Sequence, residues 1–223
     1  MMSYRVNSLD QRLTGVCTGL VEDNDDPGKE GRVKVRFPWL DDRTLSEWCR
    51  VCQPYAGNRY GALFVPEVGD EVLVSFVHGD MNEPVVLGGM YNASDLPPAF
   101  KQGSQDDVKM IRTKAGHELR FDDGSSSRAV EVKTAGGHKV TLDDQGKSIT
   151  IHSSGGHSVT LDDQGRSVEV KSSVGHSLTL DDTAQSVALA HAGGQASIRF
   201  DAAGNVTIQG TVVTVSGKQI FIG

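Results

Sequence analysis

A nineteen-residue segment recurs almost verbatim in the second half of the chain: GHKVTLDDQGKSITIHSSG starts at Gly137 and GHSVTLDDQGRSVEVKSSV at Gly156. Looser copies start at Gly116 (GHELRFDD), Gly175 (GHSLTLDD) and Gly194 (GQASIRFD). A period of this length signals an array built from one supersecondary unit. Apolar and polar side chains alternate over short runs, and Asp/Gly-rich and Ser/Gly-rich turns separate the runs. Each copy therefore reads as strand, turn, strand, turn. The first strands carry the pairs Leu119/Phe121, Val140/Leu142, Val159/Leu161, Leu178/Leu180 and Ile198/Phe200. The second strands carry Val130/Val132, Ile149/Ile151, Val168/Val170, Val187/Leu189 and Val206/Ile208, which advance by nineteen each time. Insertions therefore fall in turns, at 124–128 and around Ala196. The tail TVVTVSGKQIFIG reads as two more short strands.

Each copy is too short and too polar to bury a core alone. A single polar-faced meander leaves its apolar stripe wet and its long edges open to association. Burial follows when several copies of the chain wrap together, each stripe facing the others across an axis and the backbone bonds shared between chains. The periodicity does not set the number of copies; three is the smallest closed cross-section with a dry interior. The twenty side chains named above are the expected inward-facing core of such a prism.

The first half is written differently. GVCTGLVED (15–23), RVKVRFPWL (32–40), SEWCRVCQ (46–53), VGDEVLVSFVHGD (68–80) and EPVVLGGMYN (83–92) each carry a strand pattern. In the second of these, Val33, Val35 and Phe37 alternate with Arg32, Lys34 and Arg36, giving one apolar and one basic face. Five strands with one long connection match a small Greek-key barrel of the OB type. NDDPGKEG (24–31) reads as an exposed hairpin loop. A Pro/Gly-bearing polar stretch, residues 96–108, reads as a linker between a barrel domain at 1–95 and a repeat domain at 109–223.

Bulk properties narrow the function. Apolar residues make up 37% of the chain and glycines number 26, which suits strands and turns better than helices. The opening MMSYRVNSLDQRL lacks the apolar core of a secretory signal, and no run reaches the length of a membrane helix. Cys17, Cys49 and Cys52 form an odd set. Cys49-Arg50-Val51-Cys52 has neither a second ligand pair nor a thioredoxin-like setting, so these read as reduced strand cysteines of a chain made in the cytoplasm. Of the net charge of −7, residues 1–95 hold −6, with 9 basic against 15 acidic side chains. A nucleic-acid module carries a basic footprint with exposed aromatics for stacking, and the barrel half is the acidic half.

At this point GRVKVRFPWL (31–40), the long string VCQPYAGNRYGALFVPEVGDEVLVSFVHGDMNEPVVLGGMYN (51–92) with Trp48 ahead of it, and the GHxLxFDD-type repeats resemble one family. It is the central spike of contractile injection machines, comprising phage baseplate assembly protein V and the spike half of VgrG proteins. The resemblance implies an all-β chain: an N-terminal OB-fold barrel followed by a C-terminal, repeat-built triple-stranded β-helix, a trimeric β-prism. It also implies a mechanical role, in which the needle is driven through a target membrane on sheath contraction. VgrG chains carry a ring-forming hub ahead of the barrel, so a separate hub protein is implied at the OB end. The stretch after the barrel leaves no room for the lysozyme domain of some phage spikes. The chain ends GKQIFIG without the H-x-H iron site of others, so the expected end is blunt and apolar. Ile220, Phe221, Ile222 and Gly223 would dock a PAAR-type tip protein there.

Other chemistry fits the residues less well. His117, His138, His157 and His176 follow turn glycines, as polar residues bordering strands do, although rings of them about an axis would offer imidazole ligands. His152 and His191 stand outside that pattern. The Asp-Asp pairs at 122/123, 143/144, 162/163 and 181/182 lack the nine-residue period of calcium β-rolls, and an Asp ahead of a tight turn caps its own backbone. As glycosidase carboxylates they would need unlike partners in one cleft, whereas every copy here is alike. The expectation is a homotrimeric spike with no catalytic residue, cofactor or metal. Its partners would be a hub, a tip protein and, transiently, a membrane, within the baseplate of a phage tail or tail-like particle. A secreted β-repeat protein binding carbohydrate or calcium is the alternative, and it would be a monomer stabilised by cations.

Overall fold

The computed structural model describes residues 15–40, 43–98 and 107–220. Two units emerge, residues 1–97 and 98–223.

The first unit is a barrel. Its strands are β1 (Val16–Asp23), β2 (Lys34–Arg36), β3 (Arg50–Val51), β4 (Ala56–Gly57), β5 (Tyr60–Gly61), β6 (Glu71–Phe76) and β7 (Pro84–Gly89). Five of them form one sheet in the order β2-β1-β6-β7-β3, with β3 parallel to β7 and the other pairs antiparallel. A bridge between Val33 and Cys49 joins the flanks of β2 and β3, the two ends of that order, and closes the ring. The pair β4–β5 is a separate small hairpin. Alternation sends Val33, Val35, Phe37, Val72, Val74 and Phe76 inward with Val21, Cys49 and Val86, and each is no more than 6% exposed. Phe37 and Phe76 stack at 5.7 Å in this core.

Closure brings backbones together at Gly19. An added Cβ there would overlap Val35 and sit 3.0 Å from the Arg36 carbonyl oxygen. Gly19→Ala is expected to destabilise the barrel by about 1–3 kcal/mol through overpacking, read as a lower urea midpoint with the slope unchanged.

The basic face of β2 is consumed inside the chain. Arg32 pairs with Asp26 at 2.8 Å, Arg36 pairs with Glu22 at 2.6 Å, and Lys34 lies 5.3 Å from the centre of the Trp48 ring. The loop 24–31, expected to be simply exposed, is instead organised by a buried acid: Asp26 is 8% exposed. Its carboxylate accepts the N–H groups of Gly28 and Glu30, both at 2.8 Å, and that of Arg32 at 3.3 Å. It also accepts the Arg32 guanidinium at 2.8 and 3.1 Å. A long polar turn has no apolar side chains to hold it, and this clasp does so instead.

The second unit is one antiparallel sheet of eleven strands in strictly sequential order. It runs through β8 (Val108–Arg112), β9 (Glu118–Asp122), β10 (Ala129–Lys133), β11 (Lys139–Asp143), β12 (Ser148–His152) and β13 (Ser158–Asp162). It continues through β14 (Ser167–Lys171), β15 (Ser177–Asp181), β16 (Ser186–Ala190), β17 (Ser197–Phe200) and β18 (Val206–Gln209). At about 4.8 Å per strand the ladder extends roughly 48 Å. Every interior strand, β9 to β17, has a neighbour of its own chain on both sides. This corrects the expectation that backbone bonds are shared between chains: from β9 to β17 the ladder is complete within one copy, and the side chains of those strands are what is left to join copies. The tail also differs from expectation. Residues 211–220 form no strand, because Gly210 ends β18 and the segment has no ladder partner among the described residues.

Candidate assembly surface

In strands of five residues, positions two and four share a face, and here both are apolar. The pairing stacks them in register. Leu119 lies opposite Val132, then Val140, Ile151, Val159, Val170, Leu178, Leu189, Ile198 and Ile208 follow strand by strand. The second column runs Phe121, Val130, Leu142, Ile149, Leu161, Val168, Leu180, Val187, Phe200 and Val206. All twenty residues expected to face inward thus lie in two unbroken columns on one face. Positions one, three and five give the other face Thr, Ser, Lys, Glu and Asp, for example Thr141, Thr150 and Thr160 in a row.

That apolar face is uncovered. Ile151 is 46% exposed, Leu189 52% and Phe200 50%, whereas the buried apolar residues among those described belong to the barrel. A sheet of this height with one dry-seeking face has no core of its own.

The two rows of turns bordering the face are chemically unlike. Along one edge run Asp-Asp turns. The first Asp of each accepts a backbone N–H within its turn: Asp143 from Gly146, Asp162 from Gly165 and Asp181 from Ala184, all at 2.7 Å. The second Asp links turn to turn through its own N–H, as Asp163 does to the Lys147 carbonyl at 3.0 Å. These turns place Lys147, Arg166 and Gln185 at φ of 48°, 52° and 44°, the left-handed region that suits glycine. Gln185→Gly is expected to raise stability by about 0.5–1 kcal/mol by relieving this strain, seen as a higher melting temperature of the assembled protein.

Along the other edge each repeat reads S/T-x-x-G-H. The hydroxyl of Thr113, Thr134, Ser153 or Ser172 accepts the N–H of the histidine four residues on, at 2.9–3.1 Å. The imidazole Nδ1 then accepts a backbone N–H from the next turn along the sheet. His138 takes that of Ser154 at 3.2 Å, His157 that of Ser173 at 3.2 Å and His176 that of Ala192 at 3.1 Å. His117 does the same with Ala135 at 3.4 Å, and the ring of His191 packs edge-on against His176 at 4.5 Å. The histidines therefore tie repeat to repeat, a role the recurring Ser/Thr four residues upstream signals in the sequence.

No group of three or more His, Cys, Asp or Glu side chains is placed to hold a metal ion among the described residues. The three cysteines are free: Cys49 is in the barrel core, where burial pushes its thiol pKa up, and Cys52 is exposed. Of the residues expected to dock a tip protein, Ile220 is 50% exposed, and Phe221, Ile222 and Gly223 lie outside the described residues. No helix is long and apolar enough to cross a membrane among the described residues.

Comparison with known proteins bears on the barrel directly. Residues 17–91 match the type VI secretion system/phage-baseplate injector OB domain. The type VI secretion system spike protein VgrG3 of Vibrio cholerae is 38% identical over 108 residues, 45% of this chain and 11% of that protein. Spike protein VgrG2a of Pseudomonas aeruginosa is 38% identical over 101 residues, 42% of this chain and 12% of its own length. The actin cross-linking toxin VgrG1 of V. cholerae is 34% identical over 110 residues, 46% of this chain and 10% of the toxin. The chain thus spans about a tenth of the length of these relatives. The chain pairs a barrel similar to the injector OB domain with a long antiparallel sheet that carries one continuous apolar face.

Proposed function

We propose that this chain is the structural central spike of a contractile injection machine and works as a homotrimer. One observation carries the reading: a ladder of eleven strands holds two full apolar columns on one face and leaves them uncovered. Three such sheets, faces inward, make a prism in which every column is dry. Because each sheet is already hydrogen-bonded within itself, the prism resists bending along its length, which is what a piercing element needs. The role is mechanical and requires no reaction. A hub protein binds at the barrel, a PAAR-type tip protein sits on the apolar end around Ile220, and the target membrane is met only in transit. The likeness of the barrel to an injector domain supports the placement in a baseplate.

Light scattering on the purified chain tests this. The expected mass is about three times 23.9 kDa, persisting in mild detergent. A stable monomer at micromolar concentration overturns the reading.

A further inference from the structure

The two edges of the sheet are built to meet each other. Along β11 (Lys139–Asp143) Val140 and Leu142 share the apolar face; His138 immediately precedes the strand at one end, and Asp144 opens the turn at the other. The same holds for His157 with Asp163 at the ends of β13, and for His176 with Asp182 at those of β15. A groove of about 410 Å³ confirms one side of this: His157 and His176 line it together with Ile151, Val159 and Val170. The imidazoles therefore border the apolar columns directly.

Each of these rings already accepts a backbone N–H at Nδ1. In the neutral ring Nε2 is consequently the nitrogen that carries the hydrogen, a donor not used by that bond. The opposite edge presents acceptors with the same repeat: the carboxylates of Asp144, Asp163 and Asp182 recur every second strand, as the histidines do. Polar groups beside a dry interior lose water and need partners.

We infer that the histidine edge of one copy seats on the carboxylate edge of the next, with imidazole Nε2–H donors bonded to the carboxylates of Asp144, Asp163 and Asp182. The inference rests on the trimeric reading above. It adds how the corners of the prism are sealed and why the join is head-to-tail. Rotation about an axis along the ladder brings each edge to the unlike edge of its neighbour and closes after three steps. Two sheets stacked face to face would leave both edges in water. The equal spacing of donors and acceptors makes every rung equivalent; the tilt of the strands selects which carboxylate each histidine meets.

Cysteine cross-linking reads this out. In a Cys52→Ser background, His157→Cys is combined in turn with Asp144→Cys, Asp163→Cys or Asp182→Cys. A parallel set starts from His138→Cys, in case the first position folds poorly. Within one chain the two ends of a strand are about 20 Å apart, far beyond the roughly 7 Å limit of a disulfide, so any bridge joins two copies. The expected result for one rung of each set is a reducible band near three times 23.9 kDa on a non-reducing gel, with the single-cysteine variants giving none. A trimeric mass with no cross-link at any rung overturns the seam and leaves the trimer standing. A mass other than that of a trimer overturns both.

Discussion

Replacing Ile151 by Asp is expected to abolish the assembled form. Ile151 lies between Val140 and Val159 in the middle of the ladder, in a column without a polar break from Leu119 to Ile208. In one chain its side chain is half in water, so the substitution is harmless to the isolated sheet. In the prism it places three carboxylates at one level of a dry interior, each costing on the order of 3–5 kcal/mol to bury unpaired. That exceeds what neighbouring apolar contacts return. The mass should fall to that of single chains or rise into aggregates, and the detergent-resistant species should vanish. Thr150→Asp, one residue away on the opposite face, should leave the assembly intact. Retention of soluble trimers by Ile151→Asp would mean that the face pointing to the axis has been misassigned.

The second large effect concerns acid and the barrel. The Arg32 guanidinium beside Asp26 holds its carboxyl well below the usual carboxylate range, helped by the N–H groups of Gly28, Glu30 and Arg32 and opposed by burial. A carboxyl depressed in the folded state contributes stability that is present in full above its unfolded value, near 3.9. That contribution declines as pH falls from there toward the folded value, because the unfolded chain takes up the proton first. The barrel should therefore weaken below about pH 4, and Asp26→Asn should remove that part of the pH dependence. At neutral pH the same substitution removes the buried one of Arg32's two carboxylate partners, leaving the exposed Glu30 at 3.3 Å, and loosens the loop 24–31. The melting temperature should drop by roughly 5–10 °C, and Asn, which keeps the shape and one acceptor, should fall less than Ala. Equal melting curves for the wild type and Asp26→Asn between pH 2 and 7 would remove the clasp from the account.

Much of this was legible in the residues because the repeat is so regular. When Val140, Leu142, Ile149 and Ile151 recur at fixed spacing, the alternation of a strand leaves one choice of face, and all twenty residues assigned to it lie there. The barrel strands were equally plain in Val33, Val35 and Phe37. What escaped were features that depend on where turns fold back. Asp26 sits in a run of charged and turn residues that looks solvated, and its burial follows from the reach of Arg32 across six positions and from the turn folding its N–H groups onto the carboxylate. The imidazole ladder links residues sixteen apart through backbone groups, which no side-chain pattern advertises except the Ser/Thr upstream. The tail 211–220 carries a strand-like alternation, yet no strand forms there after Gly210, although the outer edge of β18 is open among the described residues.

Strict register has a consequence for how such an object changes over generations. Since each strand pairs only with its immediate neighbours in the chain, a duplication or loss of one nineteen-residue unit lengthens or shortens the ladder by two rungs, about 9–10 Å, and leaves the remaining strand pairings in place. The height of the sheet then varies in discrete steps, by recombination between near-identical tracts such as those at Gly137 and Gly156.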